Sequence, residues 1–167
     1  MAGKAAKTPR KAAAKKEEPK RSGRAYWLLK TEPEEHSWAT QKAAGKKGTP
    51  WTGVRNFVAR NHMKAMQVGD LGFFYHTGDE KQVVGIVEIC ALAHDDPTDK
   101  EGVWKCVDVR AVADVPKPVT LAAVKANSKL ADMTLVRTAR LSVQPVRAEE
   151  WVEVCRMGGV DPKKIGA

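Results

Sequence analysis

The chain has 167 residues, enough for one domain with a good core and too few for two comfortable ones. No run of 18 apolar residues occurs, so a spanning helix is excluded, and the basic N-terminus lacks the apolar stretch of a secretory signal. The net charge of +9 is unevenly spread: residues 1–24 carry +7 and the remainder only +2, so the strongest attraction for polyanions is held on a leash.

Residues 1–24 are mostly Ala, Lys, Arg, Pro and Gly, with no aromatic residue and no Leu, Ile or Val. Such a segment cannot bury enough apolar surface to offset the entropy of ordering, and it is expected to be a disordered basic tail. It suits a solubilising role or a sliding contact with phosphates. Order is expected from Ala25. Tyr26-Trp27-Leu28-Leu29 reads as a buried strand ended by Pro33. Ser37 is the expected cap of a short helix to Ala44, stopped by Gly45. A loop from Gly45 to Gly53 carries Trp51. Asn56 can cap a helix from Phe57 to Met66, with Val58, His62 and Ala65 at helical spacing.

Leu71 to His76 reads as a strand, Gly78-Asp79 as a hairpin turn, and Val83 to Ala91 as a strand apolar on both faces. His94 to Gly102 reads as a solvated acidic loop. Lys105 to Val112 alternates, and Pro116 and Pro118 are expected to break the chain. Thr120 can cap a helix with Leu121 and Val124 inward, followed by a short helical piece from Lys129 to Met133. Leu141 to Gln144 reads as a last strand stopped by Pro145. Glu149 to Arg156 reads as a closing helix with Trp151, Val154 and Cys155 on one face, ended by Gly158-Gly159. Short helices around hairpin-joined strands predict an α+β fold with a curved, mainly antiparallel sheet or barrel. The expected division is tail 1–24, domain 25–160 and C-terminal tail 161–167.

Cys90, Cys106 and Cys155 are odd in number and far apart, which predicts thiols in a reducing compartment, hence a cytoplasmic protein, nucleoid-associated in a bacterium or nuclear in a eukaryote. Gly45-Lys46-Lys47-Gly48-Thr49 lacks the spacing of a P-loop and a strand before it. Asp95, Asp96, Asp99 and Glu101 do not match a calcium loop, and Pro97 intrudes. The four His residues fall in four segments. No metal and no cofactor is expected. The informative feature is the crowd of rings in the first half: Trp27, Trp38, Trp51, Phe57, Phe73, Phe74 and Tyr75, interleaved with Lys30, Glu32, Ser37, Arg55, Asn56 and His76. Rings to stack on and small polar groups for a base edge are what a pocket for a splayed nucleobase needs. Trp151 belongs to the core by its helical face, whereas Trp51 sits in a loop where packing explains it less well.

Tyr26-Trp27-Leu28-Leu29-Lys30-Thr31-Glu32-Pro33 resembles the start of the EVE domain family, in the PUA-like superfamily. So do Trp51-Thr52-Gly53-Val54-Arg55-Asn56, Ala59-Arg60-Asn61, Met66-x-x-Gly69-Asp70, Phe73-Phe74-Tyr75-His76 and Leu141-Ser142-Val143-Gln144-Pro145 followed by Glu149-Glu150-Trp151. The resemblance runs in order over about residues 25–157. It implies a PUA-like mixed, mainly antiparallel β-barrel flanked by short helices, with a pocket for a modified base. Members of that superfamily read modified cytosine in DNA or methylated adenine in RNA, and ASCH-type branches include enzymes. The pocket positions it implies are Trp27 and Lys30; Ser37 and Trp38; Trp51, Gly53, Val54, Arg55 and Asn56; Tyr75 and His76; and Ser142 and Gln144. His36 and Thr40-Gln41 depart from the family pattern at the pocket rim, and Arg147 stands where a capping Ser or Thr is expected.

Each position also has a structural reading. Asn56 suits a helix cap as well as a base reader, and Ser37 a cap before a ligand. Arg55 suits a phosphate contact or a buried pair better than base reading. Tyr75 shares a side with Phe73, so one of them belongs to the core, and His76 suits a satisfied structural histidine. The function expected is a non-catalytic, monomeric module that recognises a modified nucleobase, a modified cytosine first, in DNA or RNA. The tail would touch the phosphate backbone, and no membrane partner is expected. The alternative is an enzyme acting on a modified base or nucleoside, for which Lys30, Glu32 and His76 are the candidate assembly.

Overall fold

The computed structural model describes residues 23–165. The expectation of disorder in the basic tail therefore falls, up to Ser22, outside the described residues. The strands are β1 (Tyr26–Thr31), β2 (Thr49–Pro50), β3 (Leu71–His76), β4 (Gln82–Asp95), β5 (Lys105–Thr120) and β6 (Val143–Val146). The helices are α1 (Trp38–Ala43), α2 (Phe57–Ala65), α3 (Leu121–Ala126), α4 (Thr134–Arg137) and α5 (Ala148–Gly158). The strands form one sheet in the order β2-β5-β4-β3-β1-β6. Only β1 and β3 run parallel, joined by a crossover through α1 and α2. The fold is thus mixed α+β and mainly antiparallel, as expected. The ladder ends on β2 and β6, which do not pair, so the sheet is open and a closed barrel is not seen. Among the described residues no helix is long and apolar enough to cross a membrane.

Both faces of the sheet are covered, which is why β1 and β3 are apolar on both sides. Leu28, Phe73 and Tyr75 turn to one face and pack under α5, where Trp151 stacks on Phe73 with ring centroids 4.0 Å apart. Trp27, Leu29 and Phe74 turn to the other face and pack with Trp38, Trp51, Ala59 and Met63. The inward side of α2 is therefore Ala59 and Met63, and Val58 is exposed, one residue out of phase with the spacing expected for that helix.

Local capping follows the sequence. Ser37, Asn56 and Thr120 accept from the amides of Thr40, Ala59 and Ala123 and start α1, α2 and α3. Arg147 has no side-chain acceptor to offer. Its amide instead donates to Glu150 Oε1 at 2.9 Å, and Gly159 closes α5 in the left-handed conformation.

The prolines behave differently from expectation. Pro116 and Pro118 lie inside β5, which continues unbroken to Thr120. They fall between the Gly85–Asp114 and Val83–Val119 pairs, where the register slips, and β2 covers β5 only at Asp108 and Val109. A missing N–H there disturbs no ladder. Pro145 likewise sits within β6, an edge strand, rather than ending it. In the segment read as a C-terminal tail, Pro162–Lys164 form a 3-10 turn and Ile165 packs into the core beside Trp151.

The Trp38 indole lies directly on Gly85 of β4. A β-carbon built there would come within 2.2 Å of Trp38 Cζ2, and the buried indole has no free end to swing aside. Gly85→Ala is expected to destabilise the fold by about 1–3 kcal/mol through overpacking. The shift of the urea midpoint at unchanged slope measures it. An unshifted midpoint would mean that the indole moves freely.

Candidate functional site

A cleft of about 450 Å³ opens where the parallel strand β1 ends. One wall is the carboxyl end of β1 with the turn that follows it: Lys30, Thr31, Glu35 and His36. The opposite wall is the segment from Thr49 to Arg55, and Ser142, just before β6, closes one side. The cleft thus lies where the chain leaves β1 for the crossover that carries α1 and α2.

Trp51 forms the floor. It is only 5% exposed, and its ring meets Phe74 edge-on at 5.5 Å and His36 at 5.8 Å. Its loop position is thus no sign of a free ring, since its amide donates to Val107 O at 2.8 Å and the indole is part of the core. The Nε1–H groups of Trp27 and Trp38 donate to Asp70 at 3.0 Å and Asp114 at 2.8 Å. Trp51 Nε1 has no acceptor among the described residues.

Asp96 holds the 53–55 wall in place. Gly53, with φ of +85°, turns its amide onto Asp96 Oδ2 at 2.8 Å, and Arg55 Nη1 donates to the same oxygen at 3.2 Å. Thr98 donates its amide and hydroxyl to Oδ1 at 2.7 and 2.6 Å. Burial pushes this carboxyl up, but the Thr98, Gly53 and Arg55 donors outweigh it and bring it down to about 2. Asp96 is 1% exposed, so the acidic loop is not solvated throughout as expected. The signal for this was Asp96-Pro97-Thr98, an Asp two residues before a Thr amide it can accept from.

On the other wall, Gln41 is fully buried and fixes the rim. Its Nε2 donates to Val109 O at 3.1 Å, so its Oε1 accepts from Thr49 at 3.0 Å and from His36 Nε2 at 2.8 Å. His36 therefore carries its proton on Nε2 and presents a lone pair on Nδ1 in the neutral ring. Lys30 Nζ donates to Ala139 O at 2.6 Å and lies 5.7 Å from the Tyr75 ring, and burial lowers its pKa.

Of the residues expected in the pocket, Lys30, Trp51, Gly53, Val54, Arg55 and Ser142 come together in the cleft. The others do not line it. Trp27 and Trp38 are core rings. Ser37 and Asn56 are helix caps. Tyr75 is buried beside Phe73, and burial raises its pKa. His76 accepts from the Trp38 amide at 3.1 Å through Nε2 and pairs with Glu80 at 2.7 Å. Gln144 is buried, donating to Leu141 O at 2.9 Å, with its Oε1 unpartnered. Of Lys30, Glu32 and His76, only Lys30 lines the cleft, and the His76 ring is taken up by the Trp38 amide and Glu80. Thr31, Glu35, His36 and Thr40 also line it; His36 and Thr40 were marked only as departures from the family pattern at the rim, and nothing local in the sequence marks Thr31 and Glu35.

Away from the cleft lining, His94, Cys106 and Asp108 bring three potential metal-ligand atoms within 4.8 Å of one another, where no such group was expected. The Cys106 thiol is pushed up to about 11 by burial and by Asp96, Asp108 and Asp95, so it would have to give up a tightly held proton to bind an ion. All three cysteines are free, as the spacing predicted.

Residues 25–157 match the EVE domain. Human thymocyte nuclear protein 1 is 32% identical over 169 aligned positions, covering 82% of this chain and 75% of that protein. The crystal structure of a protein from Agrobacterium tumefaciens superposes with a TM-score of 0.80 at 59% identity, covering 81% of this chain and 94% of that one. The structure of human THYN1 protein in complex with 5-methylcytosine-containing DNA superposes with a TM-score of 0.73 at 32% identity, covering 83% and 99%. The sheet order, the motifs in series and these similarities lead to one assignment: the chain belongs to the EVE domain family.

Proposed function

We propose that this protein is a non-catalytic nucleic-acid-binding module whose cleft receives a modified nucleobase, a modified cytosine first, displaced from its strand. The observation that carries the reading is a cleft of about 450 Å³ lined by Trp51 together with the polar side chains of Lys30, Glu35, His36, Arg55 and Ser142. The THYN1 complex with 5-methylcytosine-containing DNA supports it. A cytosine edge offers one exocyclic amino donor and two acceptors, N3 and O2. The Nδ1 of His36 and the Glu35 carboxylate suit the amino group, and Trp51 Nε1–H and the Ser142 hydroxyl suit the acceptors. A methyl group contributes only about 0.8 kcal/mol by burial, so sharper selectivity has to come from polar groups that the wrong base leaves unpaired.

In the same reading, Lys30, fixed by Ala139 O, is a positioning cation rather than a base. The repeated register slips between β4 and β5 support the barrel-like curvature that this reading includes, since bulges bend a strand. In that reading the protein works where nucleic acid is exposed to it, in a cytoplasm, on a nucleoid or in a nucleus.

The test is titration of the full chain with a panel of modified and unmodified nucleosides, read by tryptophan fluorescence, with products examined by mass spectrometry. Saturable binding of one modified base without turnover is expected. Equal affinity for modified and unmodified nucleosides, or a changed product, overturns the reading. Removal of residues 1–24 should leave nucleoside affinity unchanged and weaken oligonucleotide binding. For every phosphate that the shortened chain no longer neutralises, the log–log salt slope should change by about 0.7 on single strands. Identical slopes for the two chains would show that the basic segment does not touch phosphate.

A further inference from the structure

We infer that a second nucleotide-binding point lies beside the cleft, on the Phe57–Trp104 ring pair with Arg60, and takes the base and phosphate next to the one in the cleft. This rests on the proposed reading of the cleft. Phe57 is the first residue of α2 and stacks on Trp104 with centroids 4.6 Å apart and planes 28° from parallel, yet it leaves 56% of its surface exposed. What sets Phe57 apart from a lone exposed apolar residue is that it shares this surface with a second ring and with the Arg60 guanidinium.

The cations around it point to the partner. The Arg60 guanidinium carbon lies 4.8 Å from the Phe57 centroid and 5.8 Å from that of Trp104. Arg60 Nη1 donates to Val103 O at 2.9 Å, its Nε is buried without an acceptor, and no carboxylate pairs with it among the described residues. It is an uncompensated charge already held in one place, so closing on an anion costs little further side-chain freedom. Its planar fork fits a phosphate. One turn along, Lys64 is exposed, and α2 contains no acidic residue. A nucleotide offers a π-face to the ring and an anion to Arg60 together.

The ring pair is also built firmly and near the cleft. Asp99 accepts from the amides of Val103 and Trp104 at 2.9 and 2.8 Å, which fixes the loop carrying Trp104. Arg55, a wall of the cleft, lies with its guanidinium 5.7 Å from the Trp104 ring. Cleft and ring pair are thus separated by one side chain.

The experiment compares free 5-methylcytidine with a single-stranded pentanucleotide carrying 5-methylcytosine at its centre, both titrated into the full chain at fixed salt. Phe57→Ala is expected to weaken the pentanucleotide by about five- to a hundredfold, the range for loss of one stacked base, and to leave the nucleoside unchanged. Phe57→Tyr, which keeps a ring, should restore the affinity, and Arg60→Gln should weaken the pentanucleotide and flatten its salt dependence. The nucleoside arm judges the cleft and the pentanucleotide arm judges the ring pair. If Phe57→Ala leaves the pentanucleotide within twofold of wild type, or weakens both ligands equally, the inference is overturned.

Discussion

Trp51→Ala is expected to damage both fold and binding, and Trp51→Phe only binding. Trp51 is buried against Phe74 and His36, so its loss opens a cavity in the second core, and a buried Trp→Ala change costs about 3–5 kcal/mol. That is a large part of the roughly 5–15 kcal/mol typical of a domain. Phenylalanine keeps the edge contacts and most of the volume but removes Nε1–H. Trp51→Phe should remain folded by circular dichroism and still lose affinity for a modified nucleoside, by the roughly 0.5–1.5 kcal/mol of one hydrogen bond. If Trp51→Phe binds like wild type, the indole is a core ring and nothing more.

What could be read from the sequence was local. Ser37, Asn56 and Thr120 announce their helices because a cap and the amide it accepts from are three residues apart. The alternation of β5 and the hairpin at Gly78 are equally short-range. Reading failed where the answer depends on a neighbour far along the chain. Pro116, Pro118 and Pro145 look like breakers, yet they are harmless because the sheet leaves those N–H positions without partners. Trp27 and Trp38 look like pocket rings until Asp70 and Asp114, which lie 43 and 76 residues away, take their Nε1–H groups. His36 was legible only as a departure from a family pattern. Gln41, which fixes His36, gives no sign in sequence that it is buried.

The second large effect is expected at Asp96. Asp96→Ala strips acceptors from the amides of Gly53 and Thr98, at roughly 1–1.5 kcal/mol each, for a total of about 2–3 kcal/mol. Arg55 is partly exposed and regains water, so it adds little. The cleft wall from Gly53 to Arg55 loses its anchor, and nucleoside affinity should fall although Asp96 does not line the cleft. The pH dependence has a fixed sign. The folded carboxyl titrates at about 2, below the ordinary value near 3.9, so its stabilisation is complete above about pH 4 and is lost as pH falls through 2. Glu153, bonded by Arg156 and Asn127 and also at about 2, loses its contribution in the same window. Urea midpoints between about pH 5 and pH 2 should therefore fall less steeply in Asp96→Asn than in wild type, and least steeply when Glu153→Gln is added. Parallel curves for all three would remove Asp96 as the anchor of the wall.

The first and last strands, β1 and β6, are neighbours, and Arg24 reaches across to Ile165 O at 3.5 Å. Both ends of the folded body therefore leave from one place. A circular permutant that joins these ends by a short linker and opens the exposed Gly78-Asp79 turn should keep the same sheet. The lysine-rich segment should also be portable. Transplanted to the C-terminus, it starts from nearly the same point and gives the cleft a similar effective concentration of polymer, so tethering would depend on the attachment point and not on chain direction.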